Sequence, residues 1–288
     1  MHLRPRTIAL GLGFGWAVAV LVTLTQMGTP VDARCYYGFD PAQPWAADGC
    51  FLYSPPVLTV MEMVKSVMPF EAFVFLLRCA ELLVLLIFAG PAIGLVLFIP
   101  AIAIELNAAN INLLIVGAVL MSFRYPWAWA FVVLTKVTPG VGILWFAVRR
   151  EWRNFAIAMG ATLAIAIASR LAAPELWGQY VRALGTENDG SVWLIGWRLP
   201  LAALVVAWGA RNDHRWALIV AVFLALPRWY FLSPVILVGL FPLVRLPRPL
   251  PWSARLASAT SWLGRPAMLR PRLGRPASEA LADQAPST

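Results

Sequence analysis

The sequence carries little charge. Only 13% of its 288 residues are Asp, Glu, Lys or Arg, whereas about 25% is typical of soluble domains. Hydrophobic residues make up 60% of the chain, and the mean hydropathy is +0.74. A soluble globular domain is therefore excluded, and the bilayer is the expected solvent for most of the chain.

Histidine is also scarce. The two histidines, His2 and His214, lie in short charged segments between apolar runs, and no Cys or His cluster has metal-binding spacing. The chain also lacks a Gly-rich loop of the kind that cradles phosphates. These absences argue against a zinc peptidase and a Ser-His-Asp hydrolase, and we predict neither a metal nor a cofactor.

The three cysteines leave one question open. Cys79 falls in an apolar run and is expected to pack as a small apolar residue. Cys35 and Cys50 both lie in the first segment predicted outside the membrane, where an oxidising compartment permits a disulfide. Spacing alone does not fix the geometry of a bridge, so this pair is either bridged or free.

The apolar runs predict an all-α, polytopic bundle of transmembrane helices. Read from one polar break to the next, the candidate spans cover residues 7–27, 55–68, 70–89, 91–105, 109–123, 126–148, 154–172, 192–210, 215–228 and 230–245. Several are shorter than the roughly 20 residues of a full crossing. In an alternative interpretation, residues 55–68 form a re-entrant helix and residues 91–123 form one broken helix. The ten candidate spans then become eight, so the prediction is eight to ten spans.

Positive charge predicts the orientation of these spans. Arg and Lys cluster in short segments beside them, at 2–6, 149–153, 211–215 and 245–275. Such clusters mark the cytoplasmic side and contact anionic lipid, so the net charge of +9 indicates membrane lipid, and not nucleic acid, as the partner. We predict a multi-pass protein of the cell membrane with both termini in the cytoplasm.

The same charge distribution divides the chain. A membrane domain is predicted over residues 1–246, with the carboxylate-bearing segments 28–54 and 173–191 on the outside. Residues 247–288 are rich in Pro, Ala and Arg without sustained periodicity. They are predicted to form a disordered basic tail in the cytoplasm.

Polar groups within spans or at their mouths are the functional candidates, because they are costly in hydrocarbon. Asp32 lies just beyond the first span. It is either a general base that activates a hydroxyl or a solvated loop carboxylate that reinforces the topology. The sequence position alone is compatible with both interpretations.

A run of carboxamides separates two apolar segments near residue 110. Asn107, Asn110 and Asn112 follow Glu105, and the first two are three residues apart, so they share a helical face. Carboxamides recognise sugar hydroxyls, but they also hold transmembrane helices together. Both roles stay open.

Two of the cations inside predicted spans are functional candidates. Lys136 lies near the middle of 126–148, too deep to reach the interface comfortably. It either binds a lipid-linked phosphate or pairs with Glu105 or another intramembrane carboxylate. Arg198 lies about two turns into the span at 192–210. It either grips a phosphate in bidentate fashion or extends to the outer interface.

Five short motifs occur in order along residues 7–245. They are an Asp followed by two aromatics (Asp32, Tyr36-Tyr37), a Tyr-x-Pro-Pro element (Tyr53 to Pro56), an Asn-x-Leu-Leu break (Asn110 to Leu114), a Lys-x-x-Pro span ending in basic-Trp-Arg (Lys136 to Pro139, Arg149 to Arg153), and an Asn-x-x-Ser with a downstream Arg (Asn188, Ser191, Arg198). In this order they resemble glycosyltransferase family 87, membrane enzymes of the GT-C superfold typified by polyprenol-phosphate-mannose-dependent alpha-1,2-mannosyltransferases. As a departure, Ser233-Pro234 is not followed by the histidine pair frequent in that family.

The resemblance implies a GT-C fold and an inverting transfer of a sugar, mannose in the typical members, from a polyprenyl-phosphate donor. Asp32 would be the catalytic base on the outer face, with Lys136 and Arg198 near the donor phosphate. The remaining residues that the resemblance assigns to donor or acceptor binding are Tyr36, Tyr37, Tyr53, Asn107, Asn110, Asn112, Asn188 and Ser191. The acceptor would be a glycolipid or a polysaccharide.

Two alternatives remain beside the enzyme. In a lipid or sugar transporter, such as a flippase, the same buried charges would line a translocation path. In a shortened relative without activity, they would be structural.

Overall fold

All regular structure in the described part of the chain is helical. The computed structural model describes residues 11–20, 30–45, 50–90, 93–186, 191–230 and 232–243, with the backbone alone at 94–95, 185–186 and 191–194. The α-helices are α1 Gly11–Val20, α2 Val31–Tyr37, α3 Pro55–Val67, α4 Phe70–Ala89, α5 Ile93–Val96, α6 Pro100–Ala108, α7 Asn112–Ser122, α8 Trp129–Thr135, α9 Leu144–Val148, α10 Trp152–Ala172, α11 Pro174–Thr186, α12 Ser191–Arg211 and α13 Trp216–Leu224. Segments of 3-10 helix cover Pro126–Ala128, Thr138–Ile143 and Ser233–Leu240. The all-α prediction is thus confirmed, while the predicted tail over 247–288 lies outside the described residues.

Two helices, α4 and α10, are long and apolar enough to cross a membrane, and the bent pair α6 and α7 would make a third if it counts as one span. Only 11% of the apolar window of α10 is buried inside the chain. Its exposed side chains include Leu163, Ile167 and Leu171, which suits contact with lipid. Among the described residues the helices therefore support a membrane protein with two or three clear candidate spans.

Residues 126–148, which the apolar run predicts as one span, are instead broken into helical pieces. The α8 helix ends at Lys136, whose backbone is extended (φ −137°, ψ 106°). Pro139 then lacks the N–H that would continue a helical ladder. The pieces pack closely, because a Cβ at Gly142 would collide with the Trp129 indole. Lys136 therefore lies at a break between packed helices and not in the middle of a continuous one.

Aromatic side chains organise the segment predicted to lie outside the membrane. The Tyr53 ring lies 5.4 Å from that of Phe51 and 5.2 Å from that of Tyr36 in α2. Trp45 donates from its indole N–H to Tyr53 O at 3.0 Å, and its ring lies 5.5 Å from that of Tyr180 in α11. The amphipathic helix α11 thus packs onto this segment, which carries Asp32.

Cys35 and Cys50 are bridged by a disulfide, with their Cα atoms 5.2 Å apart. Of the two possibilities that the spacing left open, the structure contains the bridge. It joins α2 to the chain that leads into α3. Asp32, three residues before Cys35, is thereby tied to the aromatic segment.

Breaking this bridge is expected to destabilise the fold. Cys35→Ser should lower the free energy of unfolding by about 3 kcal/mol, because the bridge closes a loop of 15 residues and restricts the unfolded chain. Scanning fluorimetry of the protein in nanodiscs measures the change. Cys79→Ala, at the free cysteine of α4, is the control, and a melting temperature equal to that of the control would show that packing alone holds the segment.

Candidate functional site

The candidate site is built on the break between α6 and α7. The two helices meet at 106°, and Ala109 between them has a left-handed backbone (φ 51°, ψ 58°). For a residue with a Cβ this conformation costs about 1–2 kcal/mol. Non-helical backbone at membrane depth has to find its hydrogen bonds within the protein. Two charged side chains, Arg78 and Glu105, make hydrogen bonds to the backbone at this break.

Arg78 caps the C-terminal end of α6. Its Nε donates to Leu106 O and its Nη2 to Asn107 O, each at 3.0 Å. Carbonyl groups of the last helical turn have no intrahelical N–H partner, and a cation there also interacts favourably with the helix dipole. Because Arg78 projects from α4 and is buried, it joins the break to one of the candidate spans.

Glu105 caps the N-terminal end of α7. Its Oε1 accepts from Leu113 N at 3.3 Å, and its Oε2 accepts from Asn112 Nδ2 at 3.2 Å. A carboxylate at a helix N-terminus satisfies N–H groups that have no intrahelical acceptor. Glu105 is 0% exposed, so these bonds form without competition from water.

Lys136 is connected to the site by a hydrogen bond to Asn112. Its Nζ donates to Asn112 Oδ1 at 2.6 Å. Since the amide nitrogen of Asn112 donates to Glu105, the orientation of this carboxamide is fixed at both ends. The sequence left Glu105 and a phosphate as possible partners of Lys136. The structure places a carboxamide between the two charges.

Asn110 extends the arrangement to Asp32. Asn112 N donates to Asn110 Oδ1 at 3.2 Å, and Asn110 Nδ2 donates to Asp32 Oδ2 at 2.7 Å. Asp32 and Lys136 are half-buried, whereas Asn110 and Asn112 are buried. A continuous hydrogen-bonded chain, the Asp32–Lys136 chain, thus joins the carboxylate of half-buried Asp32 to the ammonium of half-buried Lys136.

Two buried phenols lie beside this chain. Burial raises the pKa of Tyr36 and of Tyr53 above the usual tyrosine range, and the carboxylates of Asp32 and Glu105 raise both further. Both side chains therefore keep their protons at physiological pH and remain hydrogen-bond donors. Ser54, the residue after Tyr53, links the aromatic segment to α8, because its hydroxyl donates a hydrogen bond to Leu134 O at 2.5 Å.

Two other predicted binding residues make different contacts. Tyr37 donates from its hydroxyl to Met68 O at 2.7 Å, and its ring packs against Phe70 and Phe73. Asn107 accepts from Arg78 through its backbone, while its side-chain oxygen is buried without a hydrogen-bond partner among the described residues. The structure thus brings together Asp32, Asn110 and Asn112 with Lys136, but not Tyr37.

Arg198 contacts a different segment. It is 2% exposed, it donates to Pro227 O at 3.0 Å, and its guanidinium lies 4.6 Å from the Trp229 ring centroid. Tyr230, the next residue, interacts electrostatically with Tyr53. Asn188 lies outside the described residues, and Ser191 begins α12 with a side chain that is also outside them.

The sequence did not single out Arg78, Glu81 or Ser54, and it named Glu105 only as a possible partner of Lys136. Arg78 and Glu81 interrupt the apolar run at 70–89, and charge inside a candidate span is itself a functional signal. No comparable signal marks Ser54. Among the described residues, no group of three or more His, Cys, Asp or Glu is arranged to hold a metal ion.

The capping role of Glu105 leads to a stability prediction. Glu105→Ala should lower the free energy of unfolding by about 3 kcal/mol, because it leaves the Leu113 N–H and the Asn112 amide buried without an acceptor. Glu105→Gln keeps one acceptor and should cost about 1 kcal/mol. Melting temperatures in nanodiscs report both changes. Glu62→Ala, at an exposed carboxylate of α3, is the control, and an equal effect at residues 62 and 105 would contradict the capping role.

Comparison of this chain with protein-family models, with curated protein sequences and with solved structures finds no match. The Asp32–Lys136 chain and the order of the sequence motifs are therefore the features that point to a function.

Proposed function

We propose that this protein is an integral-membrane, inverting glycosyltransferase of the GT-C type. It would move a sugar, mannose by the resemblance, from a polyprenyl-phosphate donor to a hydroxyl of a glycolipid or polysaccharide acceptor. The observation that carries the proposal is the Asp32–Lys136 chain. It holds a candidate base and a candidate phosphate-binding cation, on two half-buried residues, at the two ends of one buried scaffold.

Asp32 is the proposed general base. Its Oδ2 is held by Asn110, so the carboxylate has a fixed direction in which to receive a proton. The acceptor hydroxyl would lose its proton to Asp32 as its oxygen forms a bond to the anomeric carbon. The bond from that carbon to the phosphate oxygen would break on the opposite face, and the configuration would invert.

Lys136 is the proposed binding group for the departing phosphate. The lipid phosphate leaves with the electron pair of the broken bond and gains negative charge. A preorganised ammonium in a site of low dielectric stabilises that charge as it develops. Asn112 would hold Lys136 in position, since it accepts from Nζ at 2.6 Å.

The other predicted residues have supporting roles in this proposal. Tyr36 and Tyr53, which remain protonated donors, would contact sugar hydroxyls near Asp32. Arg198 would lie at the margin of the site, on the side of Tyr230, and the roles of Tyr37, Asn107, Asn188 and Ser191 in binding donor or acceptor remain part of the proposal.

The eight to ten spans and the cytoplasmic termini of a multi-pass cell-membrane protein are part of the proposal. Two observations support a site on the outer face. The Cys35–Cys50 disulfide beside Asp32 suits an oxidising compartment. In addition, α10 has 21 residues and is about 30 Å long. It separates the basic segment 149–153 from α11, which packs onto the aromatic segment that carries Asp32.

A lipid or sugar transporter is the second candidate. The break between α6 and α7 favours it, because interrupted helices whose ends face a polar centre are typical of transporter binding sites. In that case the Asp32–Lys136 chain would bind cargo without cleaving it.

A single set of incubations separates these functions. The protein is reconstituted in vesicles with radiolabelled polyprenyl-phosphate mannose and a glycolipid acceptor. We expect labelled glycolipid and free polyprenyl phosphate, with the anomeric configuration inverted. Donor that crosses the bilayer intact would support the transporter. If neither labelled product nor movement of the donor is observed, the result would support the inactive relative.

A further inference from the structure

Glu81 is a buried carboxyl group that the proposed reaction does not use. It lies in α4, three residues after Arg78, and is 0% exposed. Both of its carboxylate oxygens are buried without a hydrogen-bond partner among the described residues. An ionised carboxylate in such surroundings would carry a large desolvation penalty that no hydrogen bond offsets.

The charges around Glu81 also disfavour its ionised form. The groups that act on it electrostatically are Glu105 in α6, Arg78 in its own helix and Asp32 in α2. The helices α5 and α7, which pack against α4, contain no ionisable side chain. Of these groups only Arg78 is positive, so an ionised Glu81 would join two other carboxylates that face a single guanidinium. A neutral Glu81 reduces this excess of negative charge.

We propose that Glu81 is a proton-binding site and that it is a neutral carboxylic acid at neutral pH. The ligand is a proton because a fully buried group leaves no room for a larger one. A metal cation is disfavoured by the nearby guanidinium of Arg78. This inference does not depend on the glycosyltransferase proposal, since it follows from burial, missing partners and the surrounding charges alone.

Loss of this proton would affect the Asp32–Lys136 chain. A charged Glu81 would place a second negative charge near Glu105, which caps α7 and orients Asn112. The folded state would hold this proton under conditions in which the unfolded chain has released it. The folded state then binds more protons than the unfolded state, so stability falls as the pH rises.

Infrared difference spectroscopy at neutral pH tests the proposal directly. The wild-type spectrum minus that of Glu81→Gln should contain a carboxylic-acid C=O band and no carboxylate band. Glu71→Gln, at an exposed position of the same helix, should instead remove a carboxylate band. A carboxylate band lost in Glu81→Gln would overturn the proposal.

Two further measurements cover the case in which the variant folds poorly. Wild-type protein with ¹³C-labelled glutamate carboxyl groups should show the acid band shifted, and its absence would contradict a neutral glutamic acid. The melting temperature of the wild type should fall between neutral and alkaline pH more steeply than that of Glu81→Gln. Parallel curves for the two proteins would also overturn the proposal.

Discussion

Asp32→Asn is expected to reduce sugar transfer by roughly a thousandfold, the middle of the range for loss of a general base. The carboxamide keeps the size of the side chain and can still accept from Asn110 Nδ2, but it cannot take the proton of the acceptor hydroxyl. The melting temperature should change little. Initial rates of labelled glycolipid formation, at saturating donor and acceptor, measure the loss.

Asp40→Asn is the matched control for this variant. Asp40 lies on the same segment, predicted to be outside, is exposed, and its side chain accepts a local bond from Ala42 N at 2.9 Å. It should transfer sugar at the wild-type rate. Equal activity of the variants at residues 32 and 40 would remove Asp32 from the mechanism.

Lys136→Met is expected to lower transfer about 10²- to 10³-fold, because the phosphate would then leave without a cation to stabilise it. Binding of the donor should weaken as well. The variant also removes the positive charge that lies beside Glu105, so unfolding would contribute to the loss of activity. For that reason Lys136→Met is measured alone and together with Glu105→Gln, which restores the charge balance.

The double variant separates the two effects. It should regain much of the melting temperature lost in Lys136→Met, while its transfer rate stays low. Lys65→Met is the control for removal of a lysine elsewhere, since Lys65 donates to Phe39 O at 3.1 Å. Recovery of activity in the double variant would show that Lys136 acts on stability and not on the donor.

The apolar runs of the sequence predicted several of the helices. The runs at 55–68, 70–89 and 154–172 correspond to α3, α4 and α10, because a helix satisfies the backbone hydrogen bonds of a mostly apolar segment within the segment itself. The same reasoning failed over residues 126–148. There Pro139 removes a backbone donor, which hydropathy does not weigh, and the close contact of Gly142 with Trp129 depends on tertiary packing.

Residue type predicted the members of the Asp32–Lys136 chain but not its connectivity. Asn110, Asn112 and Lys136 stood out because polar groups between apolar runs are costly. That Asn110 would reach Asp32, 78 positions earlier, depends on the left-handed turn at Ala109 and on the disulfide at Cys35. Neither the turn nor the pairing follows from local propensity, since alanine normally avoids the left-handed region.

Arg198 shows what residue type leaves open. A cation two turns inside a predicted span suggested either a phosphate ligand or an arginine that extends to the outer interface, and its described contacts include Pro227 O and the Trp229 ring. Arginine side chains are long enough to close helix ends and to stack on aromatic rings as well as to bind anions. Position in a span therefore cannot choose between these roles.

A cryo-EM structure of Asp32→Asn with bound polyprenyl-phosphate mannose tests the central claim most directly, since the variant should hold the donor without consuming it. We expect the phosphate within about 3 Å of Lys136 Nζ and the sugar between that phosphate and residue 32. A donor headgroup bound elsewhere, for example beside the basic segment 149–153, with Lys136 still donating only to Asn112, would contradict the proposed function.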